Sequence, residues 1–432
     1  MNTTTRTTAA RLLATSLLTG FTVYAVSGDT HHDDRARKQL GLRRHQQSYN
    51  QKRRRYCVCL PKLDILAMKK SILALILLGA PLLAHGQSSV VLYGLLDGGI
   101  QHQHVKIDNF GKATRTGMSQ GVRAGNRWGL KGSENLNEDL KVIFTLENGF
   151  KLNDGSASDA RRTAFTRQAF VGLSSETLGT LTLGRQYNSG FTYFGTFGAF
   201  GTSYGLAGIS RSFSSALVRY DNMLKYETPV MAGFKATAGY SRDAGIGVEL
   251  EDVKAFMAGM LYSSGPLRFT VNYDRVSNLL DQHGLGTGAL KAWNAALSWN
   301  FDVAEITLSA GQDIDGRISN MVSSILAPLG NVNPAPNAVH IDGFKATNAA
   351  LSASVPLDHG KLLANWMMSD SNLDVATAGG HGIATQQALS LGYVHELSER
   401  TSLYAVGTYM KNVAYIDQSS ASEWTLGMMH RF

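Results

Sequence analysis

Apolar and polar residues alternate with a period of two along most of the chain after Gln87, and no sustained helical periodicity interrupts them. In the run Leu267 to Asp274, Leu267, Phe269, Val271 and Tyr273 take one face, and Arg268, Thr270, Asn272 and Asp274 take the other. Trp293, Ala295, Leu297, Trp299 and Phe301 alternate with Asn294, Ser298 and Asn300, while Trp424, Leu426, Met428, His430 and Phe432 share a face. Such runs predict strands that begin near Val90, Asn126, Leu140, Arg161, Gly179, Met223, Gly233, Lys254, Leu267, Leu290, Glu305, Ile341, Lys361, Gln386, Thr401 and Glu423.

The connections alternate too. Short ones include Asn135 to Asp139, Ser175 to Gly179, Thr228 to Gly233, Ser263 to Pro266, Phe301 to Ala304, Pro356 to Gly360 and Leu397 to Arg400. Long ones lie near His102 to Gly125, Asn148 to Ala160, Asn188 to Val218, Ser241 to Val253, Ser277 to Ala289, Asp313 to His340, Asp370 to Thr385 and Asn412 to Ser422. A soluble sandwich also alternates, but about sixteen strands closed into a barrel leave a lumen too wide for side chains to fill. Polar inward faces suit such a lumen. A charged side chain on the lipid face costs about 2–4 kcal/mol at the bilayer midplane, and the apolar faces named above carry no Asp, Glu, Lys or Arg. The fold class expected is all-β: a 16-stranded antiparallel transmembrane β-barrel with long extracellular loops, short periplasmic turns and an inward-folded third loop.

That third loop, Asn188 to Val218, is rich in Gly, Phe and Tyr, has no Asp or Glu, and carries one charged side chain, Arg211. A loop of this length is either functional or a flexible excursion, and its large aromatics argue for packing against the inside of a hollow structure.

Charge enters unevenly. The formal net charge of +8 is concentrated before residue 87, and the remainder is close to neutral, so nucleic acid is not an expected partner. Met68-Lys69-Lys70, the apolar run Ser71 to Leu83 and the small residues Ala84 and Gly86 flanking His85 form a secretory signal, too short to span a membrane. The expected organisation is therefore residues 1–67 as a mis-assigned or disordered extension, 68–86 as a signal peptide and 87–432 as the barrel, with 188–218 as its constriction loop. Cys57 and Cys59 both precede the signal, which leaves the exported part without a disulfide or a cysteine metal site. The loop carboxylates Asp313 and Asp315 belong to no full calcium-binding motif, so no metal or cofactor is expected.

From Met68 to Phe432 the chain resembles the trimeric general porins of Gram-negative outer membranes, particularly the β-proteobacterial type. The resemblance is carried, in order, by SSVVLYGLLDGGI, NRWGLKGSENL, TRQAFVGLSSETLGTLTLGRQY, NMLKYETPVMAGFKATAGYS and the terminal MMHRF. It implies a third loop folded into the barrel and a ladder of basic residues facing it: Arg127, Lys131, Arg167 and Lys225. Alternation places Arg127 and Lys131 on one face, opposite Trp128 and Leu130. Leu95 stands where some relatives have a further lysine. The constriction loop lacks the acidic residues of cation-preferring porins and adds Arg211, so small anions are the expected preference, with Asp97 and Glu147 as inward-facing moderators. Each of these residues has the plainer alternative of an ordinary solvated lumen side chain.

The resemblance further implies a passive, homotrimeric diffusion channel for ions and small hydrophilic solutes, multi-pass in the bacterial outer membrane and surrounded by its lipid. Phe432 is then the aromatic terminus read by the β-barrel assembly machinery, or merely the last lipid-facing side chain. A channel specific for phosphate, a dicarboxylate or a sugar is the alternative. An outer-membrane hydrolase is disfavoured because no H-E-x-x-H or cysteine-histidine word occurs.

Overall fold

Alternation becomes a wall whose two sides are packed in opposite senses. On β11 (Thr287–Asn300), Leu297 is 48% exposed and Trp293 and Trp299 stand beside it, whereas Asn294 on the opposite side is fully buried. The same holds on β10 (Leu267–Leu280), where Val271 is exposed and Thr270, Asn272 and Asp274 are buried. A water-soluble sheet sorts its side chains the other way round. Here apolar residues face outward and polar ones face an enclosed interior.

The computed structural model describes residues 88–108, 111–159, 164–246, 252–280, 287–319, 339–373 and 382–432. The expected signal segment, the extension before it and both cysteines lie outside these residues, as does the strand start near Arg161. The remaining strands are β1 (Ser89–Ile107), β2 (Gly111–Gln120), β3 (Arg127–Asn135), β4 (Leu140–Gly149), β5 (Gln168–Ser175), β6 (Gly179–Tyr187), β7 (Arg219–Glu227) and β8 (Phe234–Arg242). They continue with β9 (Lys254–Ser264), β12 (Glu305–Ile314), β13 (Lys345–Leu357), β14 (Gly360–Ser371), β15 (Gln386–Glu396), β16 (Thr401–Lys411) and β17 (Ser419–Arg431).

Consecutive strands pair antiparallel, and β17 returns to β1 along the register Leu95↔Arg431 to Ile107↔Ser419, which closes the ring. Seventeen strands make sixteen staves, because β2 and β3 lie end to end against one edge of β1. Residues 121–126 bulge between them. Asp97 organises that bulge: its carboxylate accepts from Ala124 N at 2.7 Å and Tyr404 OH at 2.6 Å, and its backbone N–H donates to Asn126 Oδ1.

Two connections expected to be long loops are largely strand. Between His102 and Gly125, β1 runs on to Ile107 and β2 begins at Gly111; β10 and β11 likewise extend to Leu280 and from Thr287. The ladder of backbone hydrogen bonds continues past the point where one face stops being apolar, so alternation ends before the strand does. At the opposite end the turns are tight, as expected: Leu136 N bonds Leu140 O at 2.8 Å, Phe301 N bonds Ala304 O at 2.8 Å, and Leu397 N bonds Thr401 O at 2.9 Å.

Candidate functional site

One side chain closes the neck of the constriction loop. Asn188 Oδ1 accepts from Phe191 N at 3.0 Å, capping a single helical turn, while its Nδ2 donates to Ser215 O at 2.9 Å and to Asp274 Oδ1 on β10 at 3.0 Å. Asn188 N also bonds Val218 O at 3.2 Å, so the two limbs leave the wall together. From there the loop crosses the interior. Ser189 Oγ reaches Ala258 O on β9, Ser215 Oγ accepts from Asn294 on β11, Ser214 Oγ donates to Asp313 on β12, and Ala207 O accepts from Asn365 on β14. At the far wall, Leu206 N donates to Glu423 Oε1 on β17 at 3.2 Å, and Tyr204 N bonds Val122 O in the bulge.

Apolar packing fixes the loop between these bonds. Phe194, Phe197 and Phe213 are fully buried, with the Phe194 and Phe213 rings 4.9 Å apart, against inward-facing Ala296, Ala350, Ala388, Met367 and Met410. The alanines leave room for the rings. Gly205 has φ +60° and sits where a Cβ would overlap the Glu423 carboxylate, so only glycine lets the loop backbone come this close to β17.

Between the loop and the wall of β1, β2 and the bulge lies a cavity of about 580 Å³. Arg115, Arg123, Arg127, Arg167, Arg211 and Arg219 line it, and among the described residues Glu423 is the one carboxylate that does so. All of these guanidinium groups but that of Arg115 are held in position. Arg167 Nε donates to Glu147 Oε1 at 2.7 Å, Arg127 Nη1 lies 4.0 Å from Glu147 Oε2, and Arg211 Nε donates to Gly205 O at 2.8 Å. Tyr187 OH accepts from Arg167 Nη2 at 2.7 Å and also from Arg219, with Phe191 stacked on its ring at 3.6 Å.

The structure therefore brings Arg127, Arg167 and Arg211 together, while Lys131 and Lys225 stand apart from this cavity. Lys131 Nζ sits 5.5 Å above the Tyr93 ring, and Lys225 lies opposite Thr182 on the inner face of β7. Asp97 and Glu147 are buried behind the lining, Asp97 holding the bulge backbone and Glu147 holding arginines and Tyr93 OH. Arg115, Arg123, Arg219 and Glu423 were not anticipated. Glu423 was readable, since it falls on the wet face of β17 beside outward Trp424; Arg115 was hidden in a stretch whose polar composition resembled a loop.

A closed barrel, apolar without and polar within, half obstructed by a loop that crosses its own lumen, is a transmembrane diffusion channel. The chain belongs to the Gram-negative porins, whose family model matches residues 73–415. It is 34% identical over 393 residues to an outer membrane porin protein of Bordetella pertussis, covering 84% of this chain and all of that one. To outer membrane porin protein 32 of Delftia acidovorans it is 28% identical, over 84% of this chain and 92% of the relative. Its barrel superposes on the anion-selective porin from Comamonas acidovorans with a TM-score of 0.58 at 22% identity, covering 80% of this chain and all of the other. The protein is thus a multi-pass outer-membrane channel for small hydrophilic solutes and ions, not an enzyme.

Proposed function

We propose that this porin passes anions in preference to cations and that the arginine-lined cavity sets the preference. The observation that carries the reading is the lining itself: among the described residues, six guanidinium groups against the single carboxylate of Glu423. Two unit charges 4 Å apart interact by about 1 kcal/mol in bulk water and about 4 kcal/mol at an effective dielectric near 20. A narrow throat with protein walls lies between these limits and concentrates counter-ions. The membrane potential at zero current across a potassium chloride gradient tests this: the wild type is expected to follow chloride, and Arg127→Ser combined with Arg167→Ser to lose much of that preference. Cation preference in the wild type, or no change in the double variant, refutes it.

The same reading takes the channel as a homotrimer set in outer-membrane lipid, with Phe432 recognised by the barrel-assembly machinery. Support for the trimer comes from a solved barrel of the same fold described as a trimer form, OmpT of Vibrio cholerae. Insertions into a planar bilayer are expected as three equal current steps; solitary steps throughout oppose the trimer. Phe432→Ala is expected to slow insertion by the purified machinery, and an unchanged rate opposes that role.

A second reading, tuning to phosphate or a dicarboxylate, draws on the corner where Arg167 and Arg219 meet at the Tyr187 hydroxyl, since guanidinium forks match such oxyanions. Saturable block of chloride current by one of these solutes supports it; block that stays linear with concentration opposes it.

A further inference from the structure

We propose that Asp315, His340 and Asp342 bind a dication of the zinc class at the barrel end that carries the long connections. Asp315 directly follows β12, and His340 and Asp342 shortly precede β13. Backbone bonds from Asp315 N to Phe344 O at 2.7 Å and from Ile341 N to Asp315 O at 2.9 Å hold these two limbs side by side. One ligand atom from each of the three side chains lies within 4.8 Å of the others. Ligands about 2.0–2.2 Å from a zinc ion are separated by roughly 3.5 Å, so a small rotamer adjustment completes the site.

The imidazole distinguishes this group from an ordinary acidic patch. The His340 ring lies in a notch over Gly288 of β11 that a Cβ would fill, and His340 N bonds Leu280 O at 3.1 Å, which fixes the residue from its backbone. Among the described residues, none hydrogen-bonds that ring or the Asp342 carboxylate, so three nitrogen and oxygen donors face one another with two of the side chains uncommitted. One nitrogen and two carboxylates, completed by water, suit borderline transition metals, whereas calcium and magnesium prefer oxygen alone. Asp313, two residues earlier, is excluded: it is fully buried and engaged by Ser214 and Asn348.

Asp315 is the contested ligand, because Lys291 Nζ lies 3.1 Å from its Oδ2 and competes with a metal for it. Occupancy would staple the two limbs of the connection. It would also fix the segment bearing Arg317, whose Nη2 donates to Ser212 O in the constriction loop at 2.8 Å.

Titration calorimetry of the full-length, detergent-solubilised channel with Zn²⁺ alone, after removal of metals by chelator, tests the proposal, with Co²⁺ absorption reporting the ligand set. One ion per chain is expected. Removing a ligand with His340→Ala should weaken binding by about ten-fold or more, whereas Lys291→Met, which removes the rival ammonium, should tighten it. Absence of Zn²⁺ binding in the wild type, equal binding by His340→Ala, or weaker binding by Lys291→Met overturns the site. The opposite signs of the two variants separate loss of a ligand from loss of folding.

Discussion

Six guanidinium groups around one small cavity repel one another, and five of them, Arg115 on β2 excepted, stay there because each has been given a fixed neighbour rather than left to swing. Glu147 holds Arg167 at 2.7 Å from behind the lining, so that carboxylate is spent on positioning and is itself nearly fully buried. Glu423 is different, because it both lines the cavity and accepts from Leu206 N and Gln103. Glu423→Gln keeps an acceptor for the loop while deleting the charge. At about 7 Å in water one charge is worth roughly 0.6 kcal/mol before screening. The variant is therefore expected to raise the chloride-to-potassium permeability ratio about two-fold, read from the zero-current potential. An unchanged or lowered ratio would mean that the field of Glu423 does not reach the ion path. Of this set, Arg127 was legible from strand parity beside Trp128, Arg167 from the family resemblance of its sequence word, and Arg211 as the one charge of the loop. Arg123 escaped notice because it lies in the bulge at 121–126, where alternation is broken and parity has no meaning.

The constriction loop behaves as an element in its own right, held at its neck by Asn188 and at its far end by Glu423. Replacing Asn188 with Ala removes the cap on Phe191, the tie to Ser215 and a donor to buried Asp274. Losing partners of buried polar groups costs about 1–3 kcal/mol. The expected result is a lower thermal midpoint and noisier single-channel current, and a quiet channel of normal stability would show that the aromatic packing alone suffices. The turns at the other end have their own chemistry. Hydrogen bonds from Ser175 Oγ and Thr177 Oγ1, with further help from Glu176 N, hold the Asp139 carboxyl down to about 2 and tie the β3–β4 turn to the β5–β6 turn. A depressed carboxyl contributes its full stabilisation above its unfolded value near 3.8 and loses it as pH falls toward about 2. Thermal midpoints measured between pH 5 and pH 2 should therefore drop less steeply in Asp139→Asn than in the wild type, with parallel curves as the contrary result.

For the whole molecule, the outward rows of Leu, Val and Trp over buried Asn, Thr and Ser reverse the arrangement of a water-soluble protein, and this inversion was legible from alternation together with the number of strands and the lack of charge on the apolar faces. What alternation did not convey were the extended tops of β1, β2, β10 and β11, where the outer face turns polar, and the path of the loop, which depends on contacts between residues far apart in sequence. Small inward residues such as Ala296 and Ala350 signal that something must fill the space above them, but not what. The seam between β17 and β1 has a consequence for how the molecule comes into being. Gly94 N bonds Phe432 O at 3.0 Å and Phe432 N bonds Gly94 O at 3.1 Å, so the final rung joins residues from opposite ends of the ribbon. Until that rung forms, the sheet has two unsatisfied margins, each a template for any strand that drifts by. Trimming β17 would leave β1 without its closing partner, so the expected product is a substrate for aggregation or proteolysis instead of a leakier tube.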